Sequence, residues 1–163
     1  MEIEFAELKD SDFNKVLEIY EYYVKNSTAT FHTGSVSVSD LKEFIFIGHP
    51  RYRSFLVYCD GEVCGYTFLT RFKKREAYDR TAEVTVYLKP GFTGKGIGKA
   101  SLGFIENQAR KTDIKVLIAT ISGSNSESLK LFDKQGYLAC GHYRQVGEKF
   151  GKLLDVYTFQ KLL

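Results

Sequence analysis

Residues 93–99 of this 163-residue chain read Thr-Gly-Lys-Gly-Ile-Gly-Lys, and they follow an alternating run, Thr81–Leu88, that reads as a strand. A helix is predicted from about Lys99 to Lys111, so the glycines occupy a strand-to-helix turn. Glycines at alternate positions let the backbone bend and approach a ligand without side chains in the way. The free N–H groups and positive end of the following helix then make the turn a ready anion site. Lys95 and Lys99 add charge around it, and a phosphate or pyrophosphate is the natural occupant. Two familiar phosphate loops do not fit. A Walker A loop needs Gly where Thr93 stands and Ser or Thr where Ala100 stands. A dinucleotide fingerprint starting at Gly94 meets Lys99 in place of its third Gly, and one starting at Gly96 meets Ser101.

Around that turn the pattern is of alternating strands and helices. Ile3–Leu8 reads as a strand, and Asp10-Ser11-Asp12 as the start of a helix. Phe13, Val16, Leu17, Ile19, Tyr20 and Tyr23 form that helix's apolar stripe. A loop from Asn26 to Ser39 precedes a short helix expected from Asp40 to about Ile47. Ser54–Cys59 and Glu62–Thr70 form a hairpin across Asp60-Gly61. Val116–Ile121 is a strand and Asn125–Gln135 a helix ended by Gly136. Two strands, near Tyr137–Val146 and Leu154–Leu162, close the chain. The order β-α-α-β-β-β-α-β-α-β-β implies an α/β fold with a mixed sheet of about seven strands and about four helices. With no linker or repeat, residues 1–163 read as a single domain.

Composition narrows the function. Lys and Arg total 23 against 20 acidic residues, a net +3, too small a charge to argue for nucleic acid or an anionic membrane. No signal-like or membrane-length apolar segment is evident, which suggests a cytoplasmic protein. The three cysteines lack zinc-like spacing. On a regular hairpin Glu62 lies opposite Cys59 and Val57 opposite Cys64, so no disulfide is expected and the thiols read as packing residues. His32, His49 and His142 are scattered, and no metal site is expected.

The block Glu83–Leu88, Lys89-Pro90 and Gly94-Lys95-Gly96-Ile97-Gly98 resembles the signature of the GNAT family of N-acetyltransferases. In that family Arg/Gln-x-x-Gly-x-Gly/Ala holds the pyrophosphate of acetyl-CoA; here Thr93 replaces the Arg or Gln. Asn125-x-x-Ser128-Leu129-x-x-Phe132-x-Lys134-x-Gly136-Tyr137 is similar to the family's second signature. The chain also resembles the phosphinothricin N-acetyltransferase-like subgroup from end to end. The matching pieces are Asn26–Phe31, Arg75-Glu76-Ala77-Tyr78, Glu83, and Val146–Gly151 with Asp155. Glu76 stands where the subgroup often has Pro.

The resemblance implies an acetyl-CoA-dependent N-acetyltransferase of a small amino acid or analogue such as phosphinothricin or methionine sulfoximine, acting by direct attack. It implies a homodimer, while the small net charge and the lack of a membrane-length segment leave no nucleic-acid or membrane partner expected. Carried over, Val86, Tyr87 and Leu88 are the pantetheine edge, residues 94–99 (Gly94, Lys95, Gly96, Ile97, Gly98, Lys99) hold the pyrophosphate, and Asn125 contacts the cofactor. Alternation puts Glu83, Thr85 and Tyr87 on one face, and a carboxylate in a central strand calls for a role. Glu83 is the expected general base. For an acidic acceptor, Arg75, Arg80 and Lys149 are the candidate clamps, since Arg gives bidentate geometry, with Phe31 and Tyr78 as an apolar wall. The family's general-acid Tyr has no counterpart in Leu131-Phe132-Asp133, which leaves that role open to Tyr87, Tyr143 or no dedicated group. A peptide N-acetyltransferase and a non-catalytic acyl-CoA-binding module are the alternatives.

Overall fold

The computed structural model describes residues 1–163 and contains one seven-stranded sheet. In chain order the elements are β1 (Ile3–Glu7), α1 (Phe13–Asn26), α2 (Val38–Leu41), β2 (Ser54–Cys59), β3 (Glu62–Arg71), β4 (Thr81–Leu88), α3 (Ile97–Arg110), β5 (Val116–Ser122), α4 (Ser126–Lys134), β6 (Leu138–Lys149) and β7 (Lys152–Leu162). The sheet order is β1-β2-β3-β4-β5-β7-β6, antiparallel throughout except where β4 meets β5. The expected mixed sheet, four helices and element order are all present.

The helices divide between the two faces. On one, the α1 residues Phe13, Val16, Ile19, Tyr20 and Val24 pack with Leu41, Leu56, Tyr66 and Phe68. On the other, Leu102 and Ile105 of α3 and Phe132 of α4 pack with Leu69, Val84, Leu117, Ala119 and Ile121. Strand alternation serves both: Ala82 and Val84 belong to the second core while Tyr87 packs against the first. Burying about ten aliphatic and aromatic side chains per face, at roughly 1.5–3 kcal/mol each, is what sets the strand register.

The second helix differs from expectation. α2 is a single turn, Val38–Leu41, started by a capping box in which Ser37 accepts from Asp40 N–H and Asp40 from Ser37 N–H. Beyond Lys42 the chain continues as turns rather than as regular helix to Ile47, with the N–H groups of Glu43 and Phe44 donating three residues back to the carbonyls of Asp40 and Leu41 while Leu41 and Ile45 are both buried.

The hairpin also departs from a regular ladder. Cys59 lies opposite Glu62 as expected, but a bulge makes Val57 face Gly65, so Cys64 is the extra residue. The two sulfurs then sit 2.6 Å apart, correcting the expectation that they do not meet.

Candidate active site

The site follows from one topological fact. β4 and β5 run parallel and pair only over Thr81–Glu83 with Val116–Ile118. Beyond that point β5 continues along β7, through Ser122 opposite Val156, and β4 continues along β3. The strands therefore splay, with Glu83 in the last pair, at the fork. The splay opens a cleft of about 840 Å³ lined by Val84–Leu88, Ala119–Ser122, the glycine turn and the start of α4.

The splay leaves the β4 edge unpaired. Lys89 N–H donates to Cys64 C=O, which sets the antiparallel alternation and directs the N–H and C=O of Val84, Val86 and Leu88 towards the cleft. The carbonyl of Leu88 is already used, because the Tyr23 hydroxyl of α1 donates to it. Burial holds that phenol protonated, pushed up to about 12. Val86 is thus the residue that offers a free N–H and C=O together in mid-cleft.

At the end of β4 the chain turns through Gly91, Gly94 and Gly96, all with positive φ (87°, 74° and 83°). No side chain caps α3 and its first turn holds no acidic residue. Its first N–H groups stand unopposed beside exposed Lys95 and Lys99. Ile97 itself is fully buried, so only its backbone faces the turn. Gly98 sits where a Cβ would lie 3.2 Å from Leu131, holding α3 close to α4. Asn125 caps α4 by accepting from Ser128 N–H at 3.2 Å and also lines the cleft. Val86, Tyr87, Leu88, Gly94, Gly96, Gly98, Lys99 and Asn125 thus share one cavity.

Glu83 occupies the other side of the sheet edge. Its carboxylate lines a recess of about 210 Å³ with Tyr20, Phe44, Phe68, Thr70, Thr85 and Tyr87. Thr120 Oγ1 donates to Glu83 Oε1 at 2.6 Å. Burial raises the carboxyl above its ordinary range, and the Thr120 bond offsets part of that. A proton acceptor with a raised affinity therefore stands where the recess and the cleft adjoin. Thr120 was not legible in the sequence, because its partner is 37 residues away on a strand whose pairing only the fold decides.

The other expected acceptor contacts disperse. Arg75, Tyr78 and Arg80 lie on the β3–β4 connection, at the end of β4 nearer Glu83, and are exposed; Tyr78 packs edge-on against Phe72. Phe31 lies against Gly147 near the β6–β7 turn. Lys149 is buried, and its ammonium donates to the carbonyls of Tyr23 (3.3 Å), Ser27 (2.6 Å) and Thr30 (2.8 Å). An ammonium has three donors, so none is left for an acceptor. Lys149 instead ties the last turn of α1 to the loop that follows it, and the expectation that it clamps substrate is corrected. In the Leu131-Phe132-Asp133 stretch, Phe132 is buried against Tyr137 and has no hydroxyl to donate a proton.

The chain matches the acetyltransferase (GNAT) domain family over residues 6–157. It is 31% identical over 162 residues to the L-methionine sulfoximine/L-methionine sulfone acetyltransferase of Pseudomonas aeruginosa, covering 96% of this chain and 94% of that one. It is 29% identical over 160 residues to the phosphinothricin N-acetyltransferase of Streptomyces coelicolor, covering 94% and 92%. The crystal structure of a phosphinothricin acetyltransferase from Sinorhizobium meliloti in complex with AcCoA superposes with a TM-score of 0.92 at 28% identity, covering 100% of this chain and 89% of that one. A splayed parallel pair, a free strand edge and an uncapped glycine turn are thus accompanied by a family match across most of the sequence, and the chain belongs to the GNAT family of acetyltransferases.

Proposed function

We propose that this protein transfers the acetyl group of acetyl-CoA to the primary amine of a small amino acid or amino-acid analogue, of the methionine sulfoximine or phosphinothricin type. The observation that carries this reading is the placement of Glu83 at the fork between β4 and β5, where a cleft ending in an anion-binding turn meets a separate small recess. Residues 1–163 act as one N-acetyltransferase domain.

In this reading the pyrophosphate of acetyl-CoA lies on the N–H groups of residues 94–99, with Lys95 and Lys99 beside it. The pantetheine arm pairs with the free N–H and C=O of Val86 as an added strand. That pairing brings the thioester towards the fork. The acceptor amine enters the recess, and Glu83 takes a proton from it directly or through one water. The neutral nitrogen attacks the thioester carbonyl carbon, and a β4 N–H stabilises the negative oxygen. The C–S bond then breaks, and the CoA thiolate leaves and is protonated. A thiol of pKa near ~8.5 is a good enough leaving group to need no dedicated acid. The four aromatic rings of the recess suit an acceptor with an apolar side chain, and the exposed Arg75 and Arg80 suit a carboxylate or phosphinate reaching out of it.

The homodimer inferred from the resemblance finds support in the edge strand β6. Leu138, Tyr143 and Val146 are 71%, 55% and 60% exposed there, more apolar surface than a free sheet edge usually presents. A cytoplasmic location accords with the free cysteines.

The test is thiol release from acetyl-CoA with a panel of free amino acids, methionine sulfoximine, phosphinothricin and short peptides. Release with the small amines supports the proposal. Release with peptides alone, or acetyl-CoA binding without release across the panel, overturns it.

A further inference from the structure

Cys59 and Cys64 are the only two thiols in the chain that meet, and the acetyl-transfer site uses neither. Both are buried, at 4% and 0% exposure, with their sulfurs 2.6 Å apart. Two features hold them in contact. The left-handed Asp60 and Gly61 (φ 49° and 81°) close the hairpin tightly, and the bulge makes Cys64 the unpaired extra residue. The backbone around them is pinned from outside the hairpin as well. Asp60 N–H donates to Glu2 C=O at 2.9 Å, and Cys64 C=O accepts from Lys89 N–H at 2.7 Å. A disulfide forms only where the backbone already brings two sulfurs together, and here the tight turn and the bulge do so.

We propose that Cys59 and Cys64 are a peroxide-responsive dithiol that closes reversibly to an intrachain disulfide. Cys59 is the entry thiol, since it keeps the small exposure that Cys64 lacks. Its sulfur attacks one oxygen of hydrogen peroxide; the O–O bond breaks, an S–O bond forms and water leaves with the thiol proton. The Cys64 sulfur then attacks Cys59 Sγ, the S–S bond forms, the S–O bond breaks, and a second water carries off the hydroxide and the Cys64 proton. Two thiols are oxidised by two electrons and one peroxide is reduced to two waters. A thiol reductant reverses the step.

The pair has a defined neighbour. Cys59 and Cys64 form a small core cluster with Val57, Leu88 and Ile97, the last residue of β4 and the first of α3. The disulfide would therefore lie beneath the two elements that flank the glycine turn. This proposal does not depend on which amine is acetylated.

The test is made on the whole wild-type protein, treated with hydrogen peroxide, alkylated after denaturation and digested with trypsin. Arg53 and Arg71 bound a peptide, residues 54–71, that holds both cysteines, whereas Cys140 lies in another and reports general oxidation. The expected result is a 54–71 peptide that is lighter by two hydrogens, refuses alkylation and regains two alkylation sites after dithiothreitol. A peptide that still takes two alkyl groups, or that gains oxygen without losing hydrogen, overturns the proposal. In Cys59→Ala, Cys64 should stay reduced under the same treatment; oxidation of Cys64 there at the wild-type rate also overturns it.

Discussion

Thr120 on β5 donates a 2.6 Å hydrogen bond to the carboxylate of Glu83 on β4, across the point where the two strands part. Burial raises the proton affinity of Glu83 and this bond lowers it. A base works only when deprotonated, so acceptor acetylation should rise with pH through an apparent pKa above the usual carboxylate range. Thr120→Val removes the lowering contact. The acid limb of the kcat/KM profile should then move to higher pH, with acetyl-CoA affinity unchanged. A pH–rate profile of the two proteins checks this, and coincident acid limbs would exclude Thr120 from tuning the base.

Glu83→Gln keeps the shape and the bond from Thr120 but cannot accept a proton. Turnover should fall by roughly 10²-fold or more, the usual contribution of general base catalysis. The dissociation constant for acetyl-CoA, measured by calorimetry, should hold within about twofold. Unchanged turnover removes Glu83 from the mechanism.

Gly96 precedes α3 with φ 83°, and a Cβ there would meet nothing within 4 Å. Gly96→Ala therefore introduces backbone strain and no clash. At about 1–2 kcal/mol, this should weaken acetyl-CoA binding by roughly tenfold if the turn relaxes to relieve it. Lys99→Ala should weaken binding in a salt-dependent way, visible at low ionic strength and fading as salt is added.

Lys149→Met leaves the carbonyls of Tyr23, Ser27 and Thr30 without their shared donor. The cost should be about 2–4 kcal/mol of stability, read as a fall in the denaturant midpoint. The KM for the amine should change little, which separates a structural lysine from a substrate clamp.

Gly65 lies on β3 where a Cβ would collide with the Tyr87 carbonyl oxygen and come within 2.7 Å of Leu88 Cδ2. A backbone oxygen cannot turn aside as a side chain can. Gly65→Ala should destabilise the fold by about 1–3 kcal/mol and weaken acetyl-CoA binding, because the strand displaced is the cleft wall. Thermal melting and calorimetry on the same variant measure both effects.

The sequence by itself determined the elements whose cause is local. The glycines of 94–98 require a turn, the alternation along 81–88 puts Glu83 on the face opposite Val84, and Asn125 starts a helix because its side chain caps it. These follow from φ preferences, the two-residue strand period and short-range hydrogen bonds, which operate within a few residues. Tertiary structure alone decided the rest. That β4 and β5 pair for three residues and then separate, β4 staying with β3 and β5 with β7, is decided by pairings between strands far apart in the sequence. The bond between Thr120 and Glu83 follows from that separation. Lys149 reads as a candidate clamp for an acidic acceptor in the sequence, yet the carbonyls of Tyr23, Ser27 and Thr30 take all its donors. Cys64 meets Cys59 because a bulge, invisible in a pattern of period two, adds one residue to β3. The bulge aside, each of these rests on contacts between distant segments, whose geometry is set by how the two cores pack on the sheet rather than by any residue's own preference.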